Sequence, residues 1–301
     1  DDGQVDTPDT LAFWRRLREA SDAASPDALL VGEAWADSSV VAGYLGTAQA
    51  PALHMAFDFE TAGGLVDALI TGHSGAVRAA LCARLDGWPE HGAAGSFVTN
   101  HDMRRLASRL QVQGPEALRL TAAALMTLPG TPWIYYGQEL GLRNGPGTDD
   151  IAKRLPMQWE GGEGVGFTTG TPWAAPQSVA GHESVAGQTD DPDSLLAWYR
   201  RLISLRSSRP SLQRGSAELL TAEGSAGAPL VLRRMADEEV TLVVLNVASE
   251  PSTITLTSEA LLGAGALVDV FSGALSLPDS TTGAVVLTEV PAHGVRILAP
   301  Q

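Results

Sequence analysis

The sequence holds a single cysteine, Cys82, so no internal disulfide can form; in its helix-like surroundings it reads as a small buried hydrophobe. Basic residues are scarce, 20 against 35 acidic ones, for a formal net charge of −15. A surface of that sign repels phosphate backbones and anionic lipid, which argues against nucleic acid and membrane as partners. A neutral polar substrate is compatible with it. No apolar run is long enough to cross a bilayer: the most apolar stretch, Leu120 to Tyr136, is broken by Pro129, Gly130 and Pro132 and reads as a buried helix followed by a buried strand. No signal peptide is visible, and compartment is left open. The chain opens Asp1-Asp2-Gly3 and has its first methionine at Met55, so a preceding segment is expected. Repeats, low-complexity tracts, a Gly-x-Ser-x-Gly elbow and phosphate or dinucleotide fingerprints are absent as well. His54, His73, His91, His182 and His293 show no metal-ligand spacing, so no metal is expected in these residues.

What is present is a hydrophobic fraction of 44% with 18% charged residues over 301 positions, enough apolar material for one large or two ordinary globular domains. Thr7 and Pro8 open a helix running to about Ala20, with Leu11, Trp14 and Leu17 at helical spacing. Short apolar runs at Ala28 to Val31, Leu53 to Phe57, Ser96 to Thr99 and Pro132 to Tyr136 have the size of buried parallel strands. Helical segments near 63–70, 76–85 and 115–127 lie between them, so parallel βα units are expected. Residues 143–193 are rich in Gly, Pro, Thr and Trp and read as a long functional loop, with Trp159, Phe167 and Trp173 favouring order. A helix at 193–206 follows. Beyond Pro210, strand-like runs separated by turns such as Ala236-Asp237-Glu238-Glu239 indicate an antiparallel β-domain, a sandwich.

Two strings carry chemistry. Leu30-Val31-Gly32-Glu33-Ala34-Trp35 puts a carboxylate at the C-terminal end of a buried strand beside an aromatic ring, the end where catalytic groups collect in parallel βα architectures. A partly desolvated glutamate there favours its neutral form, as a general acid requires. For that string alone, a structural ion pair is the stronger reading. Phe97-Val98-Thr99-Asn100-His101-Asp102 again runs from a strand into polar groups. An Asp beside a His suits orienting a sugar hydroxyl and stabilising oxocarbenium-like charge. The same three residues equally suit a turn whose side chains cap the next helix.

Taken together, and followed by Leu-Pro-Gly-Thr-Pro-Trp-Ile-Tyr-Tyr-Gly-Gln-Glu-Leu-Gly at 128–141, these strings resemble the later blocks of the α-amylase family of glycoside hydrolases, in the same order. Arg154-Leu155-Pro156-Met157-Gln158-Trp159, with Gly166-Phe167-Thr168-Thr169-Gly170 and Thr171-Pro172-Trp173, is similar to the α-glucosidase and oligosaccharide-acting branch. The resemblance implies an α/β fold: residues 1–209 as the second half of a catalytic (β/α)₈ TIM barrel, strands five to eight, and residues 210–301 as an antiparallel β-sandwich domain. It makes Glu33 the general acid/base, Asp102 the transition-state-stabilising carboxylate and His101 the histidine holding the sugar. Trp35 and Arg105 become candidate substrate contacts, and Glu139 a structural residue. The nucleophilic Asp of the family belongs to a block that would end before Asp1; none of Asp1, Asp2 or Asp6 carries its motif. The family's metal loops, where calcium can sit, also belong to that preceding part, and no cofactor is implied for this chain.

The function expected is retaining cleavage of α-glucosidic bonds in maltooligosaccharides or α-glucans. α-Glucosyl transfer or isomerisation of the trehalose-forming type uses the same residues, and a non-catalytic carbohydrate-binding fragment is a third reading. Four parallel strands leave two unpaired edges and an apolar face, so the chain alone is expected to be an incomplete barrel, inactive without the preceding half as partner.

Overall fold

The computed structural model describes residues 5–177, 183–221, 223–224, 229–257 and 266–301. Helix α1, Pro8–Ala24, starts as expected: the Thr7 side chain accepts the Thr10 N–H and Pro8 occupies the first turn, where a missing N–H costs nothing. Four strands follow, β1 (Val31–Gly32), β2 (Met55–Phe57), β3 (Ala93–Ser96) and β4 (Thr131–Pro132). They form one parallel sheet in chain order, with Val31 opposite Met55, Phe57 opposite Gly95 and Gly95 opposite Thr131.

Helices occupy every crossover: α2 (Ser38–Leu45), α3 (Phe59–Thr71), α4 (Gly75–Gly87) and α5 (Gly114–Thr127). Asp58 caps α3 by accepting the Thr61 N–H, and Gly72 ends it in the left-handed region. At Gly130, φ is +104° and an added Cβ would lie 2.7 Å from the Ala94 carbonyl oxygen, so only glycine lets the chain pass from α5 into β4 against β3.

The strands are shorter than the apolar runs suggest, and β3 is displaced from 96–99 to Ala93–Ser96. Phe97, Val98 and Thr99 remain buried, so that run marks the sheet's covered end rather than its hydrogen-bonded ladder. The buried strand expected through Tyr136 is corrected more strongly. Pairing stops at Pro132, and Trp133, Ile134 and Tyr136 are 38–40% exposed because β4 is an open edge of the sheet. Cys82 is exposed on α4, not buried as expected, since the helix turns its other face, Val77, Ala80 and Leu81, to the core. Helix α2 was not legible as a helix: its mixture of Ser, Val, Gly and Tyr offers no strong stripe.

After α6 (Leu195–Ser208) and a helical turn at Pro210–Arg214 come β5 (Ser216–Leu220), β6 (Pro229–Ala236), β7 (Glu239–Asn246), β8 (Ser252–Leu256), β9 (Leu267–Asp269), β10 (Leu275–Ser276), β11 (Val285–Val290) and β12 (Gly294–Pro300). One antiparallel sheet has the order β10-β9-β12-β7-β6-β5; the second contains β11 and β8, with the pair Glu223–Gly224 at its edge. Leu242 and Val244 of β7 point into the core between these sheets, with Ile254, Leu256 and Val285. Val243 and Leu245 point the other way, into a core shared with Leu65, Leu69, Leu81 and Leu120 of the βα units. A strand buried on both faces reads as a continuous apolar run, which is what Leu242-Val243-Val244-Leu245 is.

Three arginines converge on the end of α5, and one of them, Arg234, joins the β-domain to it. Arg206 donates to the carbonyls of Met126, Leu128 and Gly130, Arg234 to that of Thr127, and Arg84 to that of Pro129. Met126 and Thr127 are among the carbonyls a helix C-terminus leaves without intrahelical partners, and positive charge suits that end of the dipole. Among the described residues, no helix is long and apolar enough to cross a membrane.

Candidate active site

Because the strands are parallel, the residues that follow β1, β3 and β4 emerge at one end of the sheet. Glu33 and Trp35 leave β1 exposed, with the Trp35 ring tilted against Phe59 at 4.3 Å. Glu33 Oε1 accepts from Trp35 Nε1 and from Asn100 Nδ2, each at 3.4 Å. The Oδ1 of Asn100 accepts the backbone N–H groups of Asp102 (3.0 Å) and Met103 (3.1 Å). Asn100 thus shapes the turn and ties it to Glu33; the turn expected at Asn-His-Asp is present, but its side chains do not cap the next helix, Leu106–Arg109, which has no side-chain cap.

Asp102 has both carboxylate oxygens engaged. Oδ1 takes Arg154 Nη2 at 2.7 Å, and Oδ2 lies 3.4 Å from His101 Nε2. Arg154 Nη2 also reaches Asp150 Oδ2 at 3.2 Å, and its Nε donates to the His101 carbonyl at 3.2 Å. Asp150 is held below the usual carboxylate range, first by the hydrogen bond from Lys153 and then by the charge of Arg154.

Beside Glu33 opens a cavity of about 240 Å³ lined by Glu33, Phe57, Phe97, Thr99, Asn100, His101, Trp133, Ile134 and Tyr135; Asp102 stands next to the lining His101 without lining it. Its floor is aromatic: Phe57 packs edge-on against Phe97 at 5.4 Å and Trp133 at 5.0 Å. A carboxylate, an imidazole and an amide over such a floor suit a polar ligand with apolar faces.

The structure brings Glu33, Trp35, His101 and Asp102 to one rim, and corrects two expectations. Glu33 is exposed rather than partly desolvated, because the open sheet leaves that rim uncovered. Arg105 is not at the rim: it is 1% exposed, donating through Nε to the Lys153 carbonyl and through Nη1 to that of Tyr136. The chain turns inward after the Asn100 turn, and Asn144 Oδ1 catches the Arg105 N–H at 2.7 Å. The arginine at Asp102 is Arg154, 52 residues away in the chain and beyond the reach of local pattern.

The 143–193 segment contains helical turns at Asp150–Lys153 and Val185–Thr189, and its early part meets the rim through Arg154. Trp159, Phe167 and Trp173 are 46–55% exposed and are not among the residues lining the cavity. Glu139 lies in a tight turn at Gln138–Leu140, where burial pushes its carboxyl up against the opposing N–H groups of Glu139 and Gly137. Among the described residues, no three His, Cys, Asp or Glu side chains gather as metal ligands; His182, Asp1 and Asp2 lie outside those residues.

With that geometry in place, comparison with known proteins identifies the fold. The sequence family described as "Alpha amylase, catalytic domain" matches residues 1–215. A probable oligo-1,6-glucosidase 2 of Bacillus subtilis (strain 168) is 32% identical over 162 residues, covering 41% of this chain and 29% of that protein. A probable alpha-glucosidase of Rhizobium meliloti (strain 1021) is 28% identical over 305 residues, covering 90% of this chain and 52% of its own. The crystal structure of an alpha-glucosyl transfer enzyme, XgtA, superposes with a TM-score of 0.78 at 26% identity, covering 98% of this chain and 55% of that one. The chain therefore spans about half or less of the length of these relatives. The four βα units are the second half of a (β/α)₈ barrel followed by an antiparallel β-sandwich, and the chain belongs to the α-amylase catalytic-domain family.

Proposed function

We propose that this chain carries part of the active site of a retaining glycoside hydrolase acting on α-glucosidic bonds of maltooligosaccharides or α-glucans. The observation that carries the reading is the convergence of Glu33 and the Asp102 turn through Asn100, over an aromatic cavity. In this reading Glu33 protonates the glycosidic oxygen as the bond breaks, then takes a proton from the incoming water. Asp102 faces the positive charge that develops at the anomeric carbon, with His101 donating to a sugar hydroxyl. Trp35, its indole N–H already on Glu33, orients that carboxyl and offers a face for the departing sugar. The aromatic residues of the 143–193 segment form outer contacts for a longer glucan.

Covalent catalysis also needs a carboxylate that bonds to the anomeric carbon. No residue of this chain matches the family's nucleophile, so we assign it to the preceding half of the same enzyme, which would also close the sheet at β1 and β4. A cleared assay follows: the 301-residue chain is incubated with an aryl α-glucoside and with maltotriose, with and without that half produced separately. Turnover only on complementation, lost in Glu33→Gln, supports the proposal; robust turnover by the chain alone shows that the nucleophile has been misplaced. α-Glucosyl transfer is the second reading, favoured by the likeness to XgtA. Sugar products longer than the substrate, or isomers of maltose, would establish it over hydrolysis. Binding of maltotriose with no turnover under complementation would leave a carbohydrate-binding fragment.

A further inference from the structure

Arg105 is among the largest fully buried side chains of the protein, yet it sits three positions after Asp102. Its guanidinium packs against the rings of both Tyr135 and Tyr136, at 4.6 and 4.7 Å from their centroids, and the two rings meet each other edge-on at 4.8 Å. Nε donates to the Lys153 carbonyl at 2.9 Å, and the Tyr135 hydroxyl donates to the same oxygen at 3.1 Å. The Tyr136 hydroxyl donates to the Leu155 carbonyl at 2.7 Å. The two carbonyls that flank Arg154 are therefore both held, from a platform built on the ends of β3 and β4.

We propose that Arg105 is a positioning residue: with Tyr135 and Tyr136 it fixes the backbone on either side of Arg154, and so sets how Arg154 grips Asp102. An exposed ion pair between long side chains does not by itself hold one geometry, because side-chain entropy and solvent oppose it. Fixing the backbone of Arg154 on both sides removes much of that freedom, and its guanidinium then reaches Asp102 Oδ1, Asp150 and the His101 carbonyl together. A lysine at 105 would keep the charge and lose the planar fork and its contact with two rings. The consequence for catalysis rests on the role given to Asp102 above: a carboxylate that stabilises charge has to be held in one orientation before charge develops.

The test reads Arg154 itself. In ¹⁵N NMR spectra of the 301-residue chain, the Arg154 Nε–H group, assigned with Arg154→Ala, reports the bond to His101. Arg105→Lys and Tyr136→Phe are each expected to shift that signal toward the position of a free arginine and to speed its exchange with solvent, in variants whose circular dichroism is unchanged. If Arg105→Lys does not fold, Tyr136→Phe, which removes a single hydroxyl, decides. A merely structural role lowers the urea midpoint and leaves the Arg154 signal in place; that result would overturn the proposal. In enzyme reassembled with the preceding half, Arg105→Lys and Arg154→Ala should each lower kcat/KM by roughly 10- to 100-fold, the range expected of small misplacements. The double variant should be no worse than Arg154→Ala, since the two act in series, and additive losses would count against the idea. Absence of turnover in the reassembled wild type sinks the glycosidase reading alone, because the NMR measurement does not depend on it.

Discussion

Asn100 donates through Nδ2 to Glu33 Oε1 across 3.4 Å, joining the ends of two strands that stand 67 residues apart in the chain. Its other side-chain atom, Oδ1, builds the turn that presents Asp102. Asn100→Ala should therefore lose both, destabilising the chain by about 1 kcal/mol through the turn alone. Asn100→Asp keeps the acceptor for the two N–H groups and places like charge beside Glu33. We expect urea unfolding to show a smaller loss for Asp than for Ala; an equal loss would mean that the turn bonds contribute no more than the repulsion from Glu33 costs.

Arg84 and Asp58 form a buried ion pair at 2.8 Å, with side chains 4% and 1% exposed. Asp58 is also the cap of α3, so its two roles separate by substitution. Asp58→Asn retains a capping oxygen but leaves the guanidinium buried without its counter-charge, at a cost of about 3–5 kcal/mol. Asp58→Ala adds the loss of the cap, about 1 kcal/mol more. Chemical denaturation of both variants measures the difference, and indistinguishable midpoints would refute the separation.

Arg234 joins the β-domain to α5 by donating to the carbonyls of Thr127, Leu212, Gly215 and Ser216. Burial first, and then the charges of Arg206 and Arg84, loosen its hold on its proton relative to an exposed arginine. Arg234→Met should strand several of those carbonyls in a dry junction, with a penalty of about 3 kcal/mol or more. Because both layers share one core, tryptophan fluorescence from the βα units and circular dichroism from the sandwich should fall together to a lower urea midpoint. Separate transitions would show that the junction does not couple them.

Glu139 yields a prediction in pH. Burial raises its folded-state carboxyl above the ordinary value of 4.5, so the folded state holds a proton that the unfolded state releases. That contribution is complete below pH 4.5 and is lost as pH rises through the folded-state value. Glu139→Gln lacks this dependence. Its stability relative to wild type should rise with pH across that window and then level off, as followed by thermal unfolding from pH 4 to 8. A flat difference would show that Glu139 titrates alike in both states.

Much of the architecture was legible in the residues themselves. Thr7-Pro8 announces α1, the short apolar runs separated by helices announce a parallel sheet, and Pro210 marks where β-type patterning takes over. Gly32-Glu33 and Asn100-His101-Asp102 stand out because polar groups directly after buried strands are expensive to place anywhere but at a rim. Periodicity and local chemistry act over a few residues, so what they determine is the identity of each element and the end of it that carries chemistry.

Register and long-range pairing were decided only by the tertiary structure. The run Phe97 to Thr99 is as apolar as a strand, yet the ladder lies at Ala93–Ser96, since burial and strand pairing are separate demands and only the neighbouring strand fixes the second. Arg105 is not at the substrate rim where the resemblance implied it, and the arginine at Asp102 is Arg154. Arg105, three residues from Asp102, is buried against two tyrosines, while Arg154 crosses from another loop to the carboxylate. Which of two arginines meets an acid depends on how separate loops pack in space, and no local pattern in a chain encodes that.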